Sequence, residues 1–323
     1  MSIRRGEELD EMLNAAERER SCLYARKKWV VDALRRRVRR GTLLEVAPNC
    51  FVRWSTWQKL KKLPRYLWII RAVAKARRGC VFCGASAAAL YGLYVPYADM
   101  GRVHIATSKK AHTRSSRLVA RHPVEADQTY VIDGLLVTSP LRTSFDCMRA
   151  HEFPEALAYA DSTLRFLGVS KQDMQRYVDS HAHFRGVAAA REAVRFADPR
   201  AENGGESVAR ATMIEMGYMI PDLQRPFTDD ISGDTYRTDF YWELPDGTTI
   251  AGELDGAQKY TDPDYMDGRN FSGVVRGERL RESRISKQVD GICRFTPDDV
   301  ADHTYFARVL DSFGIPREPI PNQ

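Results

Sequence analysis

The run YRTDFYWELPDGTTIAGELDG, residues 236–256, reads as a β-hairpin carrying three carboxylates. Tyr236 to Glu243 and Thr248 to Leu254 alternate and are rich in aromatic and β-branched residues, the pattern of half-buried strands. Between them, Pro245, Asp246 and Gly247 supply a three-residue loop with glycine where the backbone must turn left-handed. That loop makes facing positions add to 492 and sets Asp239 opposite Glu253, at roughly 5 Å between Cβ atoms. Asp255, two residues on, shares their face because side chains alternate along a strand. Phe240, Trp242, Ile250 and Leu254 form the expected core side.

Like charges facing each other destabilise a sheet. A divalent cation removes that penalty, since Mg²⁺ (or Mn²⁺) takes oxygen ligands and is usually held by one or two carboxylates with water and phosphate. The expectation is a metal site with Asp239, Glu253 and Asp255 as ligands. The alternative is an exposed sheet face on which the acids are only solvated.

The residues around the acids carry a resemblance. Glu253-Leu254-Asp255-Gly256, Arg237-Thr238-Asp239-Phe240 and Glu206-Ser207 with Arg210 resemble the Glu-Val-Asp-Gly core, the Arg-Pro-Asp-Phe strand and the Glu-Ser-x-x-x-Arg helix of one endonuclease-like domain, with the Arg one place early. It is the domain related to very-short-patch repair endonucleases, a branch of the PD-(D/E)XK superfamily. Arg279, Arg281, Ile285, Ile292, Arg294 and Phe295 are similar to the closing helix and last strand of that family. The resemblance covers roughly the last third of the chain. It implies a restriction-endonuclease-like α/β domain with a mixed sheet and Mg²⁺-dependent hydrolysis of DNA phosphodiesters. It also implies a metal on Asp239 and Glu253, a further catalytic carboxylate at Glu206, and phosphate contacts from Arg281 and Arg294. Two positions depart from the pattern: Lys259 stands where the branch often has His, and Val289 where the helix usually ends in Gly. Lys is a poor general base at neutral pH, so Lys259 is assigned to steadying phosphate charge. By its own chemistry, Glu206 reads equally as a first-turn acid that favours the helix dipole and pairs with Arg210.

Charge is unevenly spread. The 323 residues carry a net +6, but residues 1–80 hold 21 Lys and Arg against 8 Asp and Glu, and the remainder holds 28 against 35. A basic end joined to an acidic remainder points to nucleic acid as partner. Asp10 to Arg18 reads as a helix with Leu9, Met12 and Leu13 on one stripe. Ala25 to Arg40 reads as a second, with Trp29, Val30, Ala33, Leu34 and Val38 on its apolar side and Gly41 at its end. Leu43 to Val46 and Cys50 to Arg53 then form a hairpin around Pro48-Asn49. Helix, basic helix and hairpin is the order of a winged helix-turn-helix, whose recognition helix enters the major groove. Lys27, Lys28, Arg35, Arg36, Arg39, Arg40 and, on the wing, Arg53 are the expected contacts to double-stranded DNA.

Arg40-Gly41-Thr42-Leu43-Leu44 leading into Asn49-Cys50-Phe51-Val52 resembles the winged-helix domain of the AbiEi-like type IV antitoxin family. Ala85 to Leu93, Val103 to Ala106, Ile132 to Pro140, Arg142 to Asp146 and Ala156 to Asp161 are similar to its middle domain. Ser139 caps the helix that Pro140 opens, and Arg142 reaches Asp146 one turn on. These resemblances give an α/β (α+β) chain in three parts. Residues 1–78 form the winged helix, 79–198 the AbiEi-like domain and 199–323 the nuclease-like domain, with a polar Pro/Gly stretch near 198–205 as the second boundary. The favoured function is DNA cleavage. Its rival is an antitoxin or autorepressor whose nuclease-like domain no longer cuts, with a cognate toxin as partner; charge alone does not separate DNA from RNA.

A hydrophobic share of 43% with 28% charged residues is that of a soluble globular protein. No apolar run reaches the ~20 residues that span a bilayer, and no signal peptide is read at the start. The expectation is a cytoplasmic protein without a membrane partner. The six cysteines are scattered with one CxxC, Cys80 to Cys83, so they read as thiols rather than as a zinc framework.

Overall fold

In the computed structural model the described residues are 3–108, 115–124, 128–230, 232–256 and 280–317. The chain is mixed α/β and divides into two compact units, Met1–Cys147 and Met148–Gln323.

The first unit opens with α1 (Ile3–Arg18), β1 (Leu23–Tyr24), α2 (Lys28–Arg39), β2 (Leu43–Ala47) and β3 (Cys50–Arg53). The three strands form one antiparallel sheet in the order β1-β3-β2. Leu9, Leu13, Leu34 and Phe51 fill its core with at most 1% exposure. Helix α1 begins well before Asp10, where the sequence places its start. Arg37 ties that first turn down, donating to the carbonyl of Gly6 and to the carboxylate of Asp10. Helix α2 starts later than Ala25, because the Ala25 N–H is taken by the carbonyl of Asn49 at 2.9 Å. Asn49 turns the hairpin in the left-handed region, φ 62°, which Asn tolerates better than most residues.

After α3 (Trp54–Trp57) and α4 (Lys62–Ala76), a five-stranded mixed sheet forms in the order β6-β5-β4-β8-β7. Its strands are β4 (Val81–Phe82), β5 (Val103–Thr107), β6 (Val119–Pro123), β7 (Thr129–Ile132) and β8 (Leu135–Thr138), with α5 (Gly84–Tyr91) between β4 and β5. Helix α6 (Pro140–Met148) starts where Ser139 accepts from the Arg142 N–H at 3.3 Å, and Arg142 donates to Asp146 at 2.6 Å.

The second unit begins with α7 (Phe153–Leu167), α8 (Lys171–Ser180), α9 (Val187–Phe196) and α10 (Gly204–Glu215). A four-stranded sheet follows in the order β12-β11-β10-β9, made of β9 (Asp222–Thr228), β10 (Thr235–Glu243), β11 (Thr249–Leu254) and β12 (Gly291–Phe295). Only the β11–β12 pairing is parallel. Residues 280–285 are helical, here α11, and α12 (Pro297–Ala301) and α13 (His303–Ser312) complete the unit. Phe240, Trp242, Ile250, Cys293 and Phe295 share one core with Ala209 and Met213 of α10 and with Phe306 and Leu310 of α13.

Helices α7 to α9, which the sequence groups with the middle segment, thus lie in the unit of the C-terminal sheet. Phe153 and Leu157 pack on Ala211 and Ile214 of α10. Arg210 donates to both oxygens of Asp161 at 3.0 and 2.8 Å, with the two side chains 4% and 1% exposed. Removing one partner of such a buried pair costs about 3–5 kcal/mol, because it leaves the other charge uncompensated. Among the described residues no helix is long and apolar enough to cross a membrane.

Candidate active site and basic helix face

The hairpin carries the site. Its ladder pairs Phe240 with Gly252, Tyr241 with Ala251, Trp242 with Ile250 and Glu243 with Thr249, so facing positions add to 492 as the Pro245–Gly247 loop requires. Gly252 has a packing role: a Cβ there would lie 2.7 Å from the Trp242 ring and 2.9 Å from the Phe240 Cβ. The ladder ends at Phe240 and Gly252. One residue beyond it the Asp239 carboxylate accepts from the Leu254 N–H at 2.9 Å, at the end of β11, which pairs with β12 along Ile250–Leu254.

Three acids from three elements meet electrostatically here. Glu253 of β11 is 8% exposed, and burial pushes its carboxyl up to about 7; Arg281 opposes that rise and Asp239 adds to it. Glu206 in the first turn of α10 is 3% exposed and is likewise pushed up to about 7, first by burial and then by Asp239. Its carboxylate accepts from the Glu202 N–H at 2.7 Å, from the Asn203 side chain, and from Gln224 at 3.2 Å. It does not pair with Arg210, whose partner is Asp161. Asn203 in turn caps α10, accepting from the Glu206 N–H at 3.1 Å. A cap residue followed three positions later by Glu is a legible helix-start signal. Gln224 was not legible: it sits on β9 with φ 55°, unusual for a non-glycine residue in a strand.

The two arginines assigned to phosphate each hold an acid within the fold. Arg281 donates to Glu253 at 2.7 Å and to the Arg237 carbonyl at 2.7 Å. Arg294, directly across the parallel ladder from Glu253, forks onto Asp255 at 2.8 and 2.6 Å. Asp255 lies past the end of β11, with its N–H on the Phe295 carbonyl at 2.9 Å. Lys259 and Arg279 fall outside the described residues.

Among the described residues no group of three or more His, Cys, Asp or Glu side chains is arranged to hold a metal ion. The described residues therefore supply no all-protein cage. Mg²⁺ needs only one or two carboxylates, with water and phosphate supplying the rest. Asp239 meets the Leu254 N–H and Glu253 meets Arg281 through one carboxylate oxygen each, and the two could serve in that mode; Asp255, engaged by Arg294 through both oxygens, does not fit it.

In the first unit, Lys28, Asp32, Arg35, Arg36 and Arg39 fall on one exposed stripe of α2, with Lys27 just before it and Arg40 just after. Two of the expected DNA contacts are engaged within the fold. Arg35 forks onto Glu45 of β2 at 3.0 and 2.9 Å. Arg53 reaches Glu17 of α1 at 2.6 Å. Lys27, Lys28, Arg36, Arg39 and Arg40 are exposed, with no ion pair among the described residues. None of the six cysteines is in a disulfide; burial pushes Cys50 and Cys293 up to about 12.

Over 193 residues the chain is 32% identical to the uncharacterized protein MT2308 of Mycobacterium tuberculosis strain CDC 1551 / Oshkosh and, equally, to the uncharacterized protein Rv2248 of strain ATCC 25618 / H37Rv. The match takes in 58% of this chain and 66% of each relative, just under two thirds of their length. No family model matches the chain, and no solved structure matches it.

Proposed function

We propose that the chain binds double-stranded DNA through its first unit and hydrolyses DNA phosphodiesters at the carboxylates of its second. The observation that carries the catalytic half is the convergence of Glu206, Asp239 and Glu253 from α10, β10 and β11, two of them pushed up to about 7. Asp239 and Glu253 would hold a Mg²⁺ or Mn²⁺ ion. When bound, such an ion polarises a phosphate and lowers the pKa of an attacking water. Asp239 is oriented for this by the Leu254 N–H. Glu206, whose carboxyl is raised by burial and by Asp239, would be the group to take a proton from water. Arg281, which donates to Glu253, would be the residue of this site to contact the DNA backbone, and Arg294 holds Asp255 in place. Lys259 retains the role of steadying phosphate charge that the resemblance to very-short-patch-like nucleases implies.

One observation favours a second reading. Arg281 and Arg294 already balance Glu253 and Asp255 without a metal, as suits a DNA-binding antitoxin or autorepressor with a cognate toxin and a nuclease-like domain that does not cut. Incubation of supercoiled plasmid with Mg²⁺ or Mn²⁺, beside a single-stranded RNA of similar length, separates the two. Nicking or linearisation supports the nuclease, cleavage of the RNA alone moves the substrate class, and intact plasmid that is nonetheless bound supports the repressor.

A further inference from the structure

The C-terminal ends of α1 and α4 and the β7–β8 turn line a cleft of about 730 Å³ in the first unit. Its cations are Arg18, Arg20, Arg71, Lys75, Arg77 and Arg78, against two acids, Glu19 and Asp133. Both acids are engaged: Asp133 pairs with Arg71 at 3.2 Å, and Glu19 pairs with Lys75. Arg18, Arg20, Arg77 and Arg78 are exposed, with no ion pair among the described residues. The helix dipoles answer only part of this charge. Each helix C-terminus carries about half a negative charge, so two helices offset about one of the four surplus charges.

Arg20 closes α1 in the left-handed region at φ 49°, with its N–H on the Glu17 carbonyl and the Ser21 N–H on the Ala16 carbonyl, both at 2.9 Å. That is a Schellman ending, whose left-handed position usually belongs to glycine. Arg20 lines the cleft from that position. The cleft also continues the basic track of α2. Arg26, just ahead of Lys27 and Lys28, donates to the Ala76 carbonyl at the end of α4, next to Arg77.

We propose that this cleft holds phosphates of the nucleic-acid backbone, as a second contact beside the exposed stripe of α2. The inference rests on the DNA-binding reading above. Guanidinium groups fork onto phosphate oxygens, and such contacts add affinity and register without reading sequence.

The test uses the full chain and duplex DNAs of unrelated sequence, with dissociation constants measured by fluorescence anisotropy over a salt series. The Arg77→Ala/Arg78→Ala variant is expected to bind every duplex more weakly by a similar factor, with the slope of log K against log salt reduced by about 0.9 for each phosphate that is no longer neutralised. Arg77→Lys/Arg78→Lys, which keeps the charge, is expected to restore most of the slope. Wild-type affinity and slope in the alanine variant, together with weakened binding by Arg36→Ala/Arg39→Ala, would overturn the cleft and leave the DNA-binding reading standing. Absence of any DNA binding by the wild type would overturn both. Inorganic tripolyphosphate serves as the free-anion arm. If it binds the wild type but not the alanine variant, and the DNA slope is unchanged, the ligand is a free polyphosphate and the backbone assignment is wrong.

Discussion

Glu253 stands between a cation and an anion, Arg281 at 2.7 Å and the charge of Asp239, and that balance sets its behaviour. Burial raises its pKa to about 7, with Arg281 opposing the rise and Asp239 adding to it, so a proton and a divalent cation would compete for this carboxylate. Mg²⁺ or Mn²⁺ is therefore expected to raise the melting temperature of the wild type by mass action on the folded state. Glu253→Gln and Asp239→Asn should melt at the same temperature with and without metal; an equal metal-induced rise in both variants would remove these residues from the site. In the first unit His104 gives a pH prediction. Burial, with His122 3.0 Å away, lowers its pKa to about 4. Folding favours the neutral ring, so the stability it contributes is present above its ordinary value near 6.5 and is lost as pH falls toward 4. Relative to His104→Gln, the wild type should lose on the order of 2 kcal/mol over that range, measured by chemical unfolding at pH 7 and pH 4. The hairpin register was legible from spacing because it is local arithmetic, although the ladder stops at Phe240 and Gly252, one residue short of Asp239 and Glu253. The partners of Arg281 and Arg294 were not, since they depend on how α11 and β12 return to β11 across residues far apart in sequence.

At the scale of elements, the β10–β11 hairpin is the most strongly specified part of the second unit. Its loop fixes the register, and its even-numbered residues fill the core. Gly252→Ala tests that packing. With the Trp242 ring and the Phe240 Cβ only 2.7 and 2.9 Å from where a methyl group would sit, it should cost about 1–3 kcal/mol by overpacking, read as a lower denaturant midpoint with an unchanged slope; a neutral result would mean that the Trp242 ring moves aside freely. Helix α2 makes the complementary point. Its apolar stripe and basic stripe follow directly from the sequence, yet only the fold separates Arg35 and Arg53, held by Glu45 and Glu17, from Arg36 and Arg39, which remain exposed. Arg36→Ala/Arg39→Ala should weaken DNA binding more than Arg35→Ala does. The reverse order, measured at one salt concentration, would mean that the Arg35–Glu45 pair opens on DNA.

For the whole molecule, the charge asymmetry and the α/β class were visible in composition and pattern, while the grouping of elements was not. The polar stretch near 198–205 marks a real loop between α9 and α10, but α7 and α10 are joined across it by the buried Asp161–Arg210 pair. No local signal announces a pair 49 positions apart in the chain. The proposal for the molecule is that one chain brings together a basic DNA-binding face and a carboxylate site that cuts. Its decisive test is supercoiled plasmid incubated with Mg²⁺ and the wild type, Glu253→Gln or Asp239→Asn, with DNA binding measured in parallel. Nicked or linear plasmid is expected from the wild type alone, with unimpaired binding by all three. The proposal is contradicted if the wild type leaves the plasmid intact under Mg²⁺ and Mn²⁺, or if both variants cut as well as the wild type.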